Sequence, residues 1–192
     1  MNSEKQQQIK SQAMEIISKE GMGALTISNL SRHIGVSDGA IYRHFDSKLS
    51  IIKEILNDLF FLVSDQMVDE VNRKVHVKDK LKYVIGKLYH IFEVQPAYVS
   101  LLFSEEYFVS NDELFYTMHT IVNTMQLYLK QIIEEGIAHK ELTKGVDSTQ
   151  MSLLIMGSMR ITVLNWRLKR YSGNLYESGE KLLDSILKLM KV

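Results

Sequence analysis

No cysteine occurs among the 192 residues, which excludes a disulfide framework, a thiolate nucleophile and a thiolate metal site, and fits a reducing compartment such as the cytoplasm. A single proline and ten glycines are too few punctuators for the many turns of an all-β chain, so helices should dominate. Charge of one sign is missing too: 23 basic residues balance 23 acidic ones, which excludes a histone-like binder working through bulk charge, so any nucleic-acid contact must be local. There is no unbroken apolar run of the roughly 20 residues that a membrane span needs. The most apolar stretch, Met151 to Trp166, is interrupted by Arg160 and Asn165 and reads as a buried helix; no membrane partner is expected. The opening residues, Met1 to Lys10, are polar and lack the apolar core of a signal peptide. What the chain does have is 45% hydrophobic and 24% charged residues, the balance of a folded protein long enough to bury a real core.

Catalytic and metal patterns are missing as well. The six histidines stand apart at 33, 44, 76, 90, 119 and 139, with no i, i+4 pair and no carboxylate at metal-ligand spacing. There is no phosphate-binding glycine loop and no nucleophile elbow. The expectation is a non-enzyme without cofactor or metal.

Helical periodicity organises the rest. Ile9, Ala13, Ile16 and Ile17 recur at spacings of three and four up to Gly21 and Gly23, where a helix end is expected. Thr26 is placed to cap a second helix carrying Ile27, Leu30 and Ile34 and stopping at Gly35; Ser37 can cap a third through Phe45. A long connecting helix follows, from about Ser47 to Val75, striped by Ile51, Ile52, Ile55, Leu56, Leu59, Leu62 and Val63. Further helices are predicted over 79–93, 96–107, 112–136, 147–171 and 175–191. The fold expected is all-α, with a DNA-binding domain over 1–47 and a larger helical domain for effector binding and dimerisation over 48–192.

Function concentrates in residues 26–48. Leu30 and Ile34 can pack one helix onto Val36 and Ile41 of the next, Ser31 permits close approach and Gly35 lets the backbone turn, which is helix-turn-helix architecture. A third helix of about eight residues is about 12 Å long and matches the width of a major groove. Tyr42, Arg43, His44 and Lys48 offer donors suited to phosphate oxygens. Base reading then falls mainly to Asp38, Gly39, Ala40 and Arg43. For Asp38 two roles stay open: stabilising the positive helix N-terminus, or accepting from a cytosine amino group. Phe45, four residues after Ile41 on the same face, reads as core, and His33 as a surface residue.

These residues closely resemble the DNA-binding signature of the TetR family of transcriptional regulators. The likeness runs from Thr26 to Leu49 and is carried by Thr26, Leu30, Gly35, Val36, Ser37, Gly39, Ile41, Tyr42, His44, Phe45, Ser47 and Lys48. Ser31 stands where the family usually has alanine, and Leu49 where an acidic residue is common. The resemblance implies a homodimer with recognition helices in successive major grooves, Tyr42, His44 and Lys48 on phosphates, and a ligand-responsive C-terminal domain.

In the larger domain Gly179, Leu182, Leu183, Ile186, Leu187 and Met190 make a stripe at helical spacing, while Met151 to Trp166 is apolar on more than one face. A helix apolar on two faces needs two partners, its own core and a second subunit. The predicted dimer interface is therefore Gly157, Trp166, Leu182, Leu183, Ile186, Leu187 and Met190. Polar residues set within aromatic-rich helical runs suggest an effector pocket using Tyr89, Tyr107, His119, Asn123 and Arg160, for a small, largely apolar molecule with His119 or Arg160 facing any anionic end. The function expected is a ligand-responsive repressor that binds a partly palindromic double-stranded operator as a dimer. The alternative is a ligand-independent DNA organiser using the same helix-turn-helix.

Overall fold

The computed structural model describes residues 2–64 and 67–190, and helices are its only regular elements among them. They are α1 (Asn2–Glu20), α2 (Ile27–Ile34), α3 (Asp38–Tyr42), α4 (Lys48–Ser64), α5 (Met67–Asn72), α6 (Val77–Val94), α7 (Ala97–Leu102), α8 (Glu105–Val109), α9 (Asp112–Ala138), α10 (Ser148–Leu168) and α11 (Leu175–Met190). A 3-10 turn at Met22–Ala24 joins α1 to α2. Gly21 takes the positive φ, 88°, that lets the chain leave α1, as a helix-ending glycine does.

Three expected helices come out differently. The third along the chain, expected through Phe45 and about eight residues long, is α3 with five, ending at Tyr42 with Arg43 as its C-cap. Residues 96–107 divide into α7 and α8, because Phe103 and Ser104 leave helical geometry and the Ser104 hydroxyl donates back to the Ser100 carbonyl at 2.9 Å. The stretch expected as one helix from Ser47 to Val75 contains α4 and α5; Asp65 and Gln66 lie outside the described residues. Its start is well specified, since Ser47 and Ser50 exchange backbone-to-hydroxyl bonds at 3.2 and 3.1 Å, a serine version of the capping box.

The chain forms two compact units. The first comprises Met1–Phe61 with Gln95–His119, the second Leu62–Val94 with Thr120–Val192. Compactness thus does not follow the sequence division at residue 47: most of α4 and the whole of α7 and α8 accompany the three N-terminal helices. In the first unit α1 packs on α2 and α7. Ile9, Ala13, Ile16 and Ile17 of α1 are buried, as are Ile51, Ile52, Ile55 and Leu56 of α4 and Val99 and Leu101 of α7. Lys10, nearly buried, ties α1 to α4 through Asp58 at 2.5 Å.

The second unit is organised by α6 and α11, with α10 against α11. Their contact is unusually close because two glycines receive two tyrosines. A Cβ on Gly179 of α11 would stand 1.8 Å from the Tyr89 ring of α6, and a Cβ on Gly86 of α6 would stand 2.5 Å from the Tyr176 ring of α11. Tyr89 is buried, which pushes its phenol up to about 12 against the opposing effect of a hydrogen bond with Thr162. Asp147 caps α10, accepting from the backbone N–H groups of Thr149 and Gln150 at 2.9 and 3.0 Å.

Candidate DNA-binding site and apolar face

Local chemistry places the two helices and the turn where the sequence predicts them, with a shorter α3. The Thr26 hydroxyl accepts from the Asn29 N–H at 3.0 Å and starts α2. Gly35 closes α2 in the left-handed region at φ 77°, with its N–H bonded to the Ser31 carbonyl at 2.9 Å. The turn brings α2 onto α3, with Leu30, Ile41 and Phe45 buried. Ser31 is also buried, consistent with the close approach expected there. Val36, expected to join that contact, is 37% exposed and Ile34 half-buried, so Ile41 is the more fully buried of the two residues expected to meet α2.

The outer surface carries the predicted contact residues. Tyr42 is 53% exposed, and Asp38, Gly39 and Arg43 are exposed with it. Ala40 and His44 are half-buried. The His44 Nδ1 is buried without a protein partner, while its backbone carbonyl accepts from Gln6 at 3.4 Å. Ser37 occupies the cap position of α3 but makes no side-chain cap bond, so its hydroxyl is not used on the helix end. Lys48 opens α4, its ammonium 5.3 Å from the centre of the Tyr107 ring, a cation–π distance. Two residues assigned to different sites thus meet within the first unit. His33 lies on the surface with Nδ1 donating to the Asn29 carbonyl at 2.9 Å and Nε2 3.2 Å from Glu20.

Sequence reasoning missed one contact here. The Ser31 hydroxyl hydrogen-bonds Asp38 Oδ1 across the turn. The signal was legible only as two polar residues seven apart, one on each helix.

The five candidate effector residues are divided between the two units. Tyr107 and His119 belong to the first unit and Tyr89, Asn123 and Arg160 to the second. Tyr89 is filled against Gly179, whereas Asn123 and Arg160 lie on exposed helix surface. His119, also exposed, stacks on Phe115 with ring centres 5.8 Å apart. None of the five lines the hollow of about 290 Å³ bordered by Thr162, Asn165, Trp166, Lys169 and Ser178.

Most of the predicted dimer stripe is covered within the single chain. Trp166, Leu183, Ile186, Leu187 and Met190 are buried within their own subunit, Leu182 is half-buried, and only Gly157 is exposed. Within the single chain, α11 packs against α6 and α10. The two-faced character of α10 is present nonetheless. Ile155, Met159, Val163 and Trp166 are buried, while Leu153, Leu154, Ile161 and Leu168 are exposed, the last at 73%.

Comparison with known proteins decides the family. Residues 9–55 match the model of bacterial regulatory proteins of the tetR family, and residues 53–189 match that of the YsiA-like protein C-terminal region. The chain belongs to the TetR family. It is 26% identical over 183 residues to the fatty acid metabolism regulator protein of Bacillus subtilis (strain 168), spanning 95% of this chain and 94% of that protein. A solved structure of the fatty acid degradation regulator FadR from Bacillus halodurans superposes with a TM-score of 0.84 at 21% identity, over 95% and 94% of the two chains. FadR from Bacillus subtilis in complex with stearoyl-CoA gives a TM-score of 0.78 at 26% identity, over 95% and 96%. TetR-family proteins are transcriptional regulators and not enzymes, so the regulator reading stands and catalysis is excluded on family grounds. No helix among the described residues is long and apolar enough to cross a membrane.

Proposed function

We propose that this TetR-family regulator is a cytoplasmic repressor that binds a partly palindromic operator as a homodimer and leaves it when an acyl-CoA thioester occupies the larger helical domain. The observation that carries the DNA-binding half is the exposed array of Asp38, Gly39, Tyr42 and Arg43 on a helix anchored by Ile41 and Phe45. Tyr42, Arg43, His44 and Lys48 supply donors for phosphates; Thr26 and Ser37 add hydroxyls at the two cap positions. Asp38, Gly39, Ala40 and Arg43 face the bases. The effector class is supported by similarity to a regulator solved with stearoyl-CoA, aligned over nearly the whole of both chains. An acyl chain agrees with the apolar effector expected from the aromatic helices, and Arg160 or His119 is the candidate for its anionic part.

The dimer surface proposed is the outward face of α10, Leu153, Leu154, Gly157 and Ile161, continued by Leu182 and Leu189 of α11. Leu189 is 81% exposed, and exposed leucines in such a row favour an apolar partner. Gly157 leaves that face open, with nothing within 4 Å of a Cβ built there, so another helix can approach closely. A C2 arrangement uses the same patch on both subunits and matches two half-sites.

The test is selection from random DNA duplexes followed by footprinting. The recovered sequence should be an inverted repeat with half-site centres about 34 Å apart, or a multiple of that, and its protection should disappear on adding stearoyl-CoA. No enriched sequence would reject the operator; protection unchanged by acyl-CoA would reject the effector class.

A further inference from the structure

The bond between Ser31 and Asp38 joins the tasks of a buried residue and an exposed one, and the inference from it rests on α3 being the DNA-reading helix. Ser31 sits in α2, is only 4% exposed, and has two acceptors in reach: its own helix's Ser28 carbonyl at 3.1 Å and Asp38 Oδ1. A hydroxyl carries one hydrogen, so it donates to one acceptor at a time. The ionised carboxylate is the stronger acceptor, since charge-assisted hydrogen bonds are roughly twice as strong as neutral ones. One oxygen of Asp38 is therefore held from behind by a buried group that packing keeps in place. Asp38 as a whole remains exposed on the first turn of α3.

An ionised carboxylate only accepts hydrogen bonds. In the major groove the donors are the amino groups of cytosine and adenine, whereas guanine offers two acceptors and thymine an acceptor beside its methyl group. The neighbours Gly39 and Ala40 bring no competing polar side chain. Phosphates repel the carboxylate. A fixed carboxylate on α3 thus gains a partner only over an amino-bearing base and meets acceptors elsewhere.

We propose that Asp38 is a specificity-determining residue that selects cytosine or adenine at one position of each half-site, and that Ser31 is its positioning residue. Fixing the carboxylate before binding removes the rotamer freedom that a swinging side chain would lose on contact, and it keeps the second oxygen from turning toward a neighbouring base.

The test uses the full chain in the random-duplex selection, with Ser31→Ala, Asp38→Ala, the double variant and Asp38→Asn. Thermal unfolding of each variant separates misfolding from altered reading. Wild type should select cytosine or adenine at one place per half-site. Asp38→Ala should lose that preference there alone, with discrimination falling about 5- to 150-fold, the range of one good base contact. Ser31→Ala should broaden the same position by a few-fold and add nothing in the Asp38→Ala background. Asp38→Asn, of nearly the same shape but both donor and acceptor, should move the preference toward adenine. An unchanged base preference in Asp38→Ala overturns the inference. So does a Ser31→Ala effect that is spread over all positions or persists in the double variant. If none of the proteins enriches any sequence, the operator reading itself fails, and the result is distinguishable because wild type is flat as well.

Discussion

The helix-turn-helix and α10 present opposite kinds of surface. In the first, Leu30, Ile41 and Phe45 are buried while Asp38, Tyr42 and Arg43 point outward, so the face left open is polar and rich in hydrogen-bonding groups. In α10, Ile155, Met159, Val163 and Trp166 are buried, yet Leu153, Leu154, Ile161 and Leu168 remain outside. The first surface suits a polyanion that is released by salt; the second keeps its area in water until an apolar partner covers it. One chain therefore carries two surfaces suited to partners of opposite chemistry.

The largest effect expected comes from placing a charge on the two sides of this apolar pair of helices. Leu187→Glu buries an unpaired carboxylate in the core of the second unit and should cost several kcal/mol, enough to abolish the cooperative thermal transition. Ile161→Glu should leave helicity and melting nearly intact while light scattering reports a monomer. If the two results are exchanged, so that Leu187→Glu yields a folded monomer, the assignment of faces is broken.

Changes on the polar surface should be smaller and should appear only with DNA. Lys48→Ala removes a phosphate donor and should weaken specific and non-specific binding alike, reducing the salt slope by about 1. Tyr42→Phe removes a neutral hydroxyl donor and should weaken binding while leaving the salt slope unchanged. Arg43→Ala should alter sequence preference if its guanidinium reads a base, and resemble Lys48→Ala if it touches phosphate alone. Unaltered affinity in both Lys48→Ala and Tyr42→Phe, with an unaltered salt slope in Lys48→Ala, would remove the phosphate assignment.

Thr26→Ala deletes the cap of α2 and should lower stability by about 1 kcal/mol, read as a shifted urea midpoint; no shift would mean that the 3.0 Å bond to Asn29 contributes nothing. The smallest effect belongs to the second unit. Lys78, foremost, and Lys82 hold the Asp184 carboxyl below its ordinary range. Because that folded value is depressed, the contribution is present above the usual aspartate pKa and is lost as pH falls through the folded value. Asp184→Asn should therefore flatten the acid limb of stability by no more than about 1 kcal/mol, the scale of an exposed ion pair. An acid limb identical to wild type would mean the cluster is energetically neutral.

Residues 26–48 were legible almost atom by atom because their determinants are local: a threonine cap, a left-handed glycine, an apolar anchor on α3. Val36 was misplaced because periodicity does not say how far a turn residue is covered. For α10 and α11 the pattern identifies apolar faces, but an apolar stripe carries no label for its partner: Leu183, Ile186, Leu187 and Met190 are buried in a helix that packs on α6 and α10 of the same chain. The tyrosine–glycine interlock of Tyr89 with Gly179 was likewise beyond reach, since it depends on two helices about 90 residues apart in the chain. The same limit applies to residues 95–119, which join the N-terminal helices across a long intervening segment. Effector residues were the least legible, because polar groups in aromatic helices can line a pocket or lie on the surface, and periodicity does not distinguish the two.

The central claim is that operator binding and effector binding oppose each other in one molecule, and titrating stearoyl-CoA into the operator complex while following fluorescence anisotropy of labelled DNA tests it most directly. Coupling of sites is reciprocal, so operator affinity should fall on the order of 5- to 150-fold at saturating acyl-CoA, and acyl-CoA should bind the operator complex more weakly by the same factor. Anisotropy that stays at the DNA-bound value while calorimetry shows stearoyl-CoA bound with equal affinity in the presence and absence of operator would contradict the release mechanism, and would favour a DNA organiser that works without this ligand.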